Sequence, residues 1–178
     1  DLSVISRRMH ELSGPHGLDD KNVRSALGHA RDLARILHDF HTNDLWHKDV
    51  KPSNIIVSSD GVHLVDLGLL TPLSSAMTLT THGTEYFRDP ELVRLAMRGV
   101  KVHEVDGVKF DIYSAGAVLY SMLENSFPAH GSLSRINKRC PEALRWIVRR
   151  AMADTRSRYS SARVRRAMAD TRSRYSSA

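Results

Sequence analysis

The stretch richest in chemistry is HKDVKPSN, residues 47–54, in which Asp49 and Lys51 stand two positions apart. Side chains two apart in an extended segment project to the same side, and Pro52 biases Lys51 towards extended backbone. A carboxylate near a hydroxyl and an ammonium near a phosphate are what phosphoryl transfer needs. That reaction demands positioning and charge stabilisation more than covalent chemistry. A metal would complete the set. Folded as a hairpin about Ser58–Gly61, residues 54–66 bring Asn54 opposite Val65, Asp66 or Leu67, and cross-strand Cβ atoms lie about 4.5–5.5 Å apart. One amide oxygen plus one carboxylate suits Mg²⁺, which keeps its waters and fills its shell from substrate phosphates. Taken alone, so short a charged motif is better explained as a solvated loop.

Several elements are available to position these residues. Asp19 or Asp20 can cap a helix over residues 22–41, where Val23, Ala26, Leu27, Ala30, Leu33, Ala34, Leu37 and Phe40 recur at helical spacing. Residues before Gly14-Pro15 read as a shorter helix. Ile55-Ile56-Val57 and Val62-His63-Leu64-Val65 read as strands around a turn. Residues 69–88, rich in Thr, Ser and Gly, predict a long loop, and Pro90-Glu91 opens a helix. Asp111 precedes IYSAGAVLYSMLE, apolar on nearly every side and hence a buried helix. Residues 142–153 predict a last amphipathic helix.

With 178 residues, 41% hydrophobic and 26% charged, the chain has the size and balance of one globular domain. No apolar run reaches the roughly 20 residues that span a bilayer, and the start does not resemble a signal peptide. The single Cys140 fits a reducing compartment, so a cytoplasmic location is expected. The net charge of +6 is mostly a repeat: VRRAMADTRSRYSSA at 148–162 recurs unchanged at 164–178. Residues 163–178 hold five arginines and one aspartate, and without them the balance is 21 minus 19, or +2. With no aromatic-interleaved basic stripe, nucleic-acid binding is not expected.

HKDVKPSN does not stand alone. Followed by DLG at 66–68, GTEYFRDPE at 83–91 and DIYSAG at 111–116, it resembles the large C-terminal lobe of eukaryotic-type (Hanks-type) serine/threonine protein kinases, over about residues 1–162. The lysine two after the aspartate and the Gly83-Thr84 pair resemble the serine/threonine branch, and the compact spacing around residues 125–140 resembles bacterial members. The resemblance implies a mainly α fold with short β-hairpins, a kinase C-lobe, using ATP and Mg²⁺ on a protein substrate with a Ser or Thr hydroxyl. It implies that Asp49 orients the hydroxyl and accepts its proton, that Lys51 steadies the γ-phosphate, and that Thr84 bridges the two. Asn54 and Asp66 would hold Mg²⁺. Ile56, over Val118 and Met122, would make the apolar column under the adenine. Asp111 would tether the catalytic loop, and Glu91 would pair with a buried Arg158.

Departures from the family pattern are specific. Lys48 stands where the family has arginine, keeping the charge but losing the bidentate fork. Leu67 replaces phenylalanine, and Asp89 replaces alanine, placing a carboxylate beside Glu91 where it could weaken or widen the pair with Arg158. Thr78, Thr80 and Thr81 are hydroxyls open to phosphorylation. No G-x-G-x-x-G and no V-A-I-K-like strand occurs, so the N-terminal lobe is expected to be absent and this polypeptide to be a poor or inactive kinase. Two alternatives are a catalytically dead binding or regulatory module and a small-molecule phosphotransferase of related fold. Lys51 and the Gly83-Thr84 loop argue against the latter. The second copy, 163–178, is expected to be a frayed tail left by duplication, or else to swap into a neighbour and form a dimer, with Arg174 a second candidate partner for Glu91.

Overall fold

A computed structural model describes residues 1–81, 85–128, 133, 140–158, 160, 163, 164 and 166–170. Helices dominate it. Helix α1 (Leu2–Ser13) is capped by the Asp1 carboxylate and stops at Gly14, whose φ of 79° lies in the left-handed region that glycine enters without steric cost. Helix α2 (Asp20–Thr42) begins where Asp19 accepts a hydrogen bond from the Asn22 N–H, and buries the stripe Val23 to Leu37 expected from its period. Strand β1 (Leu45–Trp46) leads into the HKDVKPSN loop, which ends in a 3₁₀ turn at Pro52–Asn54.

The hairpin forms as expected. Strands β2 (Ile55–Ser58) and β3 (Gly61–Leu64) pair antiparallel with Ile55 opposite Leu64, and the Val65 N–H donates to the Asn54 carbonyl at 2.9 Å. The long loop expected at 69–88 is more ordered than its composition suggests. Thr71–Pro72 forms β4, antiparallel to β1. Further on, the Leu79 N–H donates to Val100 O and the Val102 N–H to Met77 O, pinning residues 77–79 against the segment after α3 (Pro90–Met97). Two-residue strands hold no period for a sequence pattern to show.

Helix α4 (Gly107–Glu124) starts a turn earlier than expected, so Asp111 lies inside it. From Phe110 to Glu124 only two residues, Ser121 and Glu124 at its end, are partly exposed, and every other one is buried. It packs against α2 on one side and against α5 (Glu142–Ala151) on another. The main core joins α1, α2, β2, β3, α4 and α5, and a smaller one gathers Trp46, Leu79, Leu92, Val102 and Phe110 beneath β1. In the repeat, residues 163, 164 and 166–170 are helical. Val164 and Met168 are buried in the same main core that holds Val148, Ala151 and Met152 of the first copy. The two apolar stripes therefore occupy different places in one core, rather than competing for one.

Candidate active site

Two backbone features bend the loop between β1 and β2. Lys48 has φ 71°, and Lys51 is extended at φ −155°, as the proline after it favours. A left-handed lysine is strained and persists only where its surroundings fix it. Here Asp111, fully buried on α4, does the fixing. Its Oδ2 accepts from the His47 N–H at 2.8 Å and its Oδ1 from the Lys48 N–H at 3.0 Å. His41, on the buried face of α2, places Nε2 3.0 Å from the same carboxylate. Burial pushes the Lys48 ammonium below its ordinary value, against the pull of Asp111, and its Nζ sits 5.5 Å from the centre of the Trp46 ring.

The clamped loop brings together most of the residues singled out from sequence. Asp49 is buried, and its Oδ2 lies 2.8 Å from Lys51 Nζ. Asn54 donates through Nδ2 to the Asp49 carbonyl and to Asp49 Oδ2, both at 3.0 Å. With the amide nitrogen so engaged, its oxygen is the atom left for a cation. His47, fully buried, joins the loop to the hairpin: its Nδ1 accepts from the Asp49 N–H at 3.3 Å, so Nε2 carries the proton and donates to Val65 O at 3.2 Å. Asp66 follows directly, exposed and with φ 61°. An exposed carboxylate one residue beyond the backbone partner of Asn54 fits the sparse oxygen set that Mg²⁺ accepts. Among the described residues no group of three or more His, Cys, Asp or Glu converges as a metal cage.

Two expectations change. Ile56 is 37% exposed, while Ile55 and Val57 pack into the core that contains Val118 and Met122. The period of two puts Ile56 on the outer face, open to a flat apolar group, so the column beneath it runs through its neighbours. The pair expected between Glu91 and Arg158 is not formed. Arg158 Nη1 lies 2.6 Å from Asp89 Oδ2, and the Thr155 hydroxyl donates to Glu91. The reason is local: Asp89 caps α3 by accepting from the Glu91 N–H at 2.8 Å, which aims its other oxygen at the guanidinium. Arg158 also donates to the carbonyls of Lys109 and Ala153 and lies 5.1 Å from the Tyr113 ring centre. Burial pushes the Asp89 carboxyl above its ordinary value despite the arginine. Thr84 and Arg174 lie outside the described residues.

Comparison with known proteins decides the family. The protein kinase domain family matches residues 16–169. The chain belongs to the protein kinase family. The chain is similar to serine/threonine-protein kinase PrkC of Bacillus subtilis, at 30% identity over 138 residues, which is 71% of this chain and 18% of that protein. It is 32% identical over 126 residues to the MAPK/MAK/MRK overlapping kinase of mouse, covering 69% of this chain and 28% of the relative. A probable serine/threonine-protein kinase of Dictyostelium discoideum shares 34% over 106 residues, 59% of this chain and 7% of that protein. The chain thus spans less than a third of the length of each of these relatives. No helix among its described residues is long and apolar enough to cross a membrane.

His41 and His47 escaped the sequence reading, though one signal was present. His41 falls four residues after Leu37, on the buried stripe of α2, where a polar residue requires a partner. His47 carries no comparable signal, since it opens the loop after the two-residue strand β1 and falls in no periodic pattern.

Proposed function

We propose that this chain carries the acceptor-side machinery of ATP-dependent phosphoryl transfer to serine or threonine hydroxyls of proteins. The observation that supports this most is the Asp49–Lys51–Asn54 cluster, held on an Asp111-clamped loop with Asp66 across the hairpin. In this reading Asp49 accepts the proton of the attacking hydroxyl, Lys51 offsets charge on the transferred group, and Thr84 bridges the two. Asn54 and Asp66 hold Mg²⁺, which when bound offsets phosphate charge, and Ile56 meets the adenine of ATP. The relatives' names, all serine/threonine kinases or a MAPK-type kinase, support the same class.

By itself the 178-residue chain should transfer phosphate poorly. Its sequence holds no G-x-G-x-x-G that could cover the phosphates, and a site open on that side does not exclude water. Titration calorimetry of the whole chain with ATP, with and without Mg²⁺, tests the reading. Magnesium-dependent affinity that Asp66→Asn lowers about tenfold or more is expected, a loss of about 1.4 kcal/mol or more. Absence of any magnesium-dependent binding would instead favour a catalytically dead binding module. Rapid transfer from radiolabelled ATP to a generic basic protein, lost on Asp49→Ala, would overturn the expectation of weak activity.

A further inference from the structure

A second concavity opens beside the base. It has a volume of about 470 Å³ and lies between the first half of α1, the Lys51–Ser53 corner and the end of α4. Leu2 and Ser6, one turn apart, line it from α1, and Ser3 and Arg7 form a second such pair beside them. Leu2 and Met122 are fully buried beneath it and Phe87 nearly so. At its edge the exposed Phe127 stacks on Tyr86, with ring centres 4.4 Å apart. Lys51 belongs both to this lining and to the ion pair with Asp49, so whatever fills the cavity runs directly to the base.

Two polar side chains of the lining, Ser6 and Arg7, find no partner among the described residues. Ser6 is 7% exposed, and its Oγ has no hydrogen-bond partner among the described residues. Buried hydroxyls are ordinarily satisfied, so this one is free to donate to a group that enters the cavity. Arg7 is exposed and forms no ion pair or hydrogen bond among the described residues. Among the described residues no aspartate or glutamate lines the cavity. Asp49 is held by Lys51, and Asp1, at the start of α1, is engaged by the Ser3 hydroxyl and the Val4 N–H. The floor is therefore apolar, and the rim carries a positive charge that no described residue opposes.

We propose that this cavity selects the acceptor peptide, taking an apolar side chain on its floor and an acidic side chain at Arg7. The proposal rests on the kinase reading above and adds a substrate class to it. An apolar side chain gains by leaving water for the Leu2–Met122–Phe87 floor, and a carbonyl or carboxylate of the peptide can accept from Ser6 Oγ. A lysine or arginine at the same place meets Arg7 with like charge, so the cavity discriminates by repulsion as well as attraction.

Fluorescence anisotropy on the full chain without nucleotide tests this. The probes are labelled nine-residue peptides with a central serine. A Leu-Glu pair, or a Leu-Arg pair, is walked through the positions on each side. The best Leu-Glu peptide should bind about threefold to fivefold tighter than its Leu-Arg counterpart, the scale of one exposed ion pair. Arg7→Glu should reverse that order and Arg7→Gln should abolish it, with circular dichroism confirming that both variants are folded. Equal binding of the two peptide sets, or an order unchanged by Arg7→Glu, would overturn the proposal. Magnesium-dependent ATP binding without peptide selection would sink this inference alone. Peptide selection without ATP binding would uphold the groove and sink the kinase reading.

Discussion

At Asp111 three groups converge on one buried carboxylate: the amides of His47 and Lys48 and the ring of His41. The amides shape the turn that delivers Asp49, so the carboxylate acts on the base without touching substrate. Asp111→Ala leaves two buried N–H groups without acceptors and should cost about 3 kcal/mol. Urea denaturation measures that loss, and hydrogen exchange should show the amides of residues 47 and 48 losing protection ahead of the helices. Cys140 presents a second residue-scale case, with a pH dependence. Burial pushes its thiol from the ordinary 9.0 up to about 11. At pH 8 the thiolate fraction is then about a hundredfold below that of the unfolded chain, and the thiolate is the nucleophile. Iodoacetamide should label native protein at least that much more slowly than protein in urea. Because the native thiol holds its proton longer, stability from this group is full below pH 9 and declines between pH 9 and 11. Equal labelling rates in the two states would show the thiol to be accessible and ionisable in the fold.

Among the elements, α4 and α5 pack tightly at Gly116. A Cβ built there would lie 2.6 Å from Ala151 Cβ and 3.1 Å from Met152 Cγ. Helix propensity favours alanine over glycine by about 1 kcal/mol, but a contact that short forces the helices apart, and overpacking costs about 1–3 kcal/mol. The second effect should win, so Gly116→Ala should lower the urea midpoint; an unchanged or raised midpoint would show that α5 can shift freely. Much at this scale was legible before the structure. Burial dictates side-chain type at every third or fourth residue of α2 and nearly everywhere in α4, so both helices are written in their periods. Asp49, Lys51, Asn54 and Asp66 were legible because the loop and hairpin joining them are local in sequence. The partner of Arg158 was not. Asp89 and Glu91 stand two apart and both carry a carboxylate, and cap geometry at the start of α3 decides between them. Strands β1 and β4 were hidden for another reason, since two-residue pairings are set by tertiary contact alone.

For the molecule as a whole the repeated tail poses the sharpest question. Its described helical residues, 163–164 and 166–170, bury Val164 and Met168 in the main core, with Ala167 packed against it. A short isolated helix is marginal in water, its backbone bonds about cancelling the entropy of ordering it. The surplus must come from those side chains, each gaining about 1.5–3 kcal/mol on full burial, less the share already buried in a compact unfolded chain. Truncation after Ala162 should therefore cost about 2–4 kcal/mol and expose apolar surface where Val164 and Met168 had been. Packing within one chain also fixes how association should respond. Sedimentation should give the same oligomeric state before and after truncation, with a melting temperature independent of protein concentration. A tail exchanged between two molecules behaves differently: truncation would dissolve the dimer, and stability would rise with concentration. A frayed tail leaves a third signature, unchanged stability after truncation, because residues that bury nothing contribute nothing to the difference between folded and unfolded states.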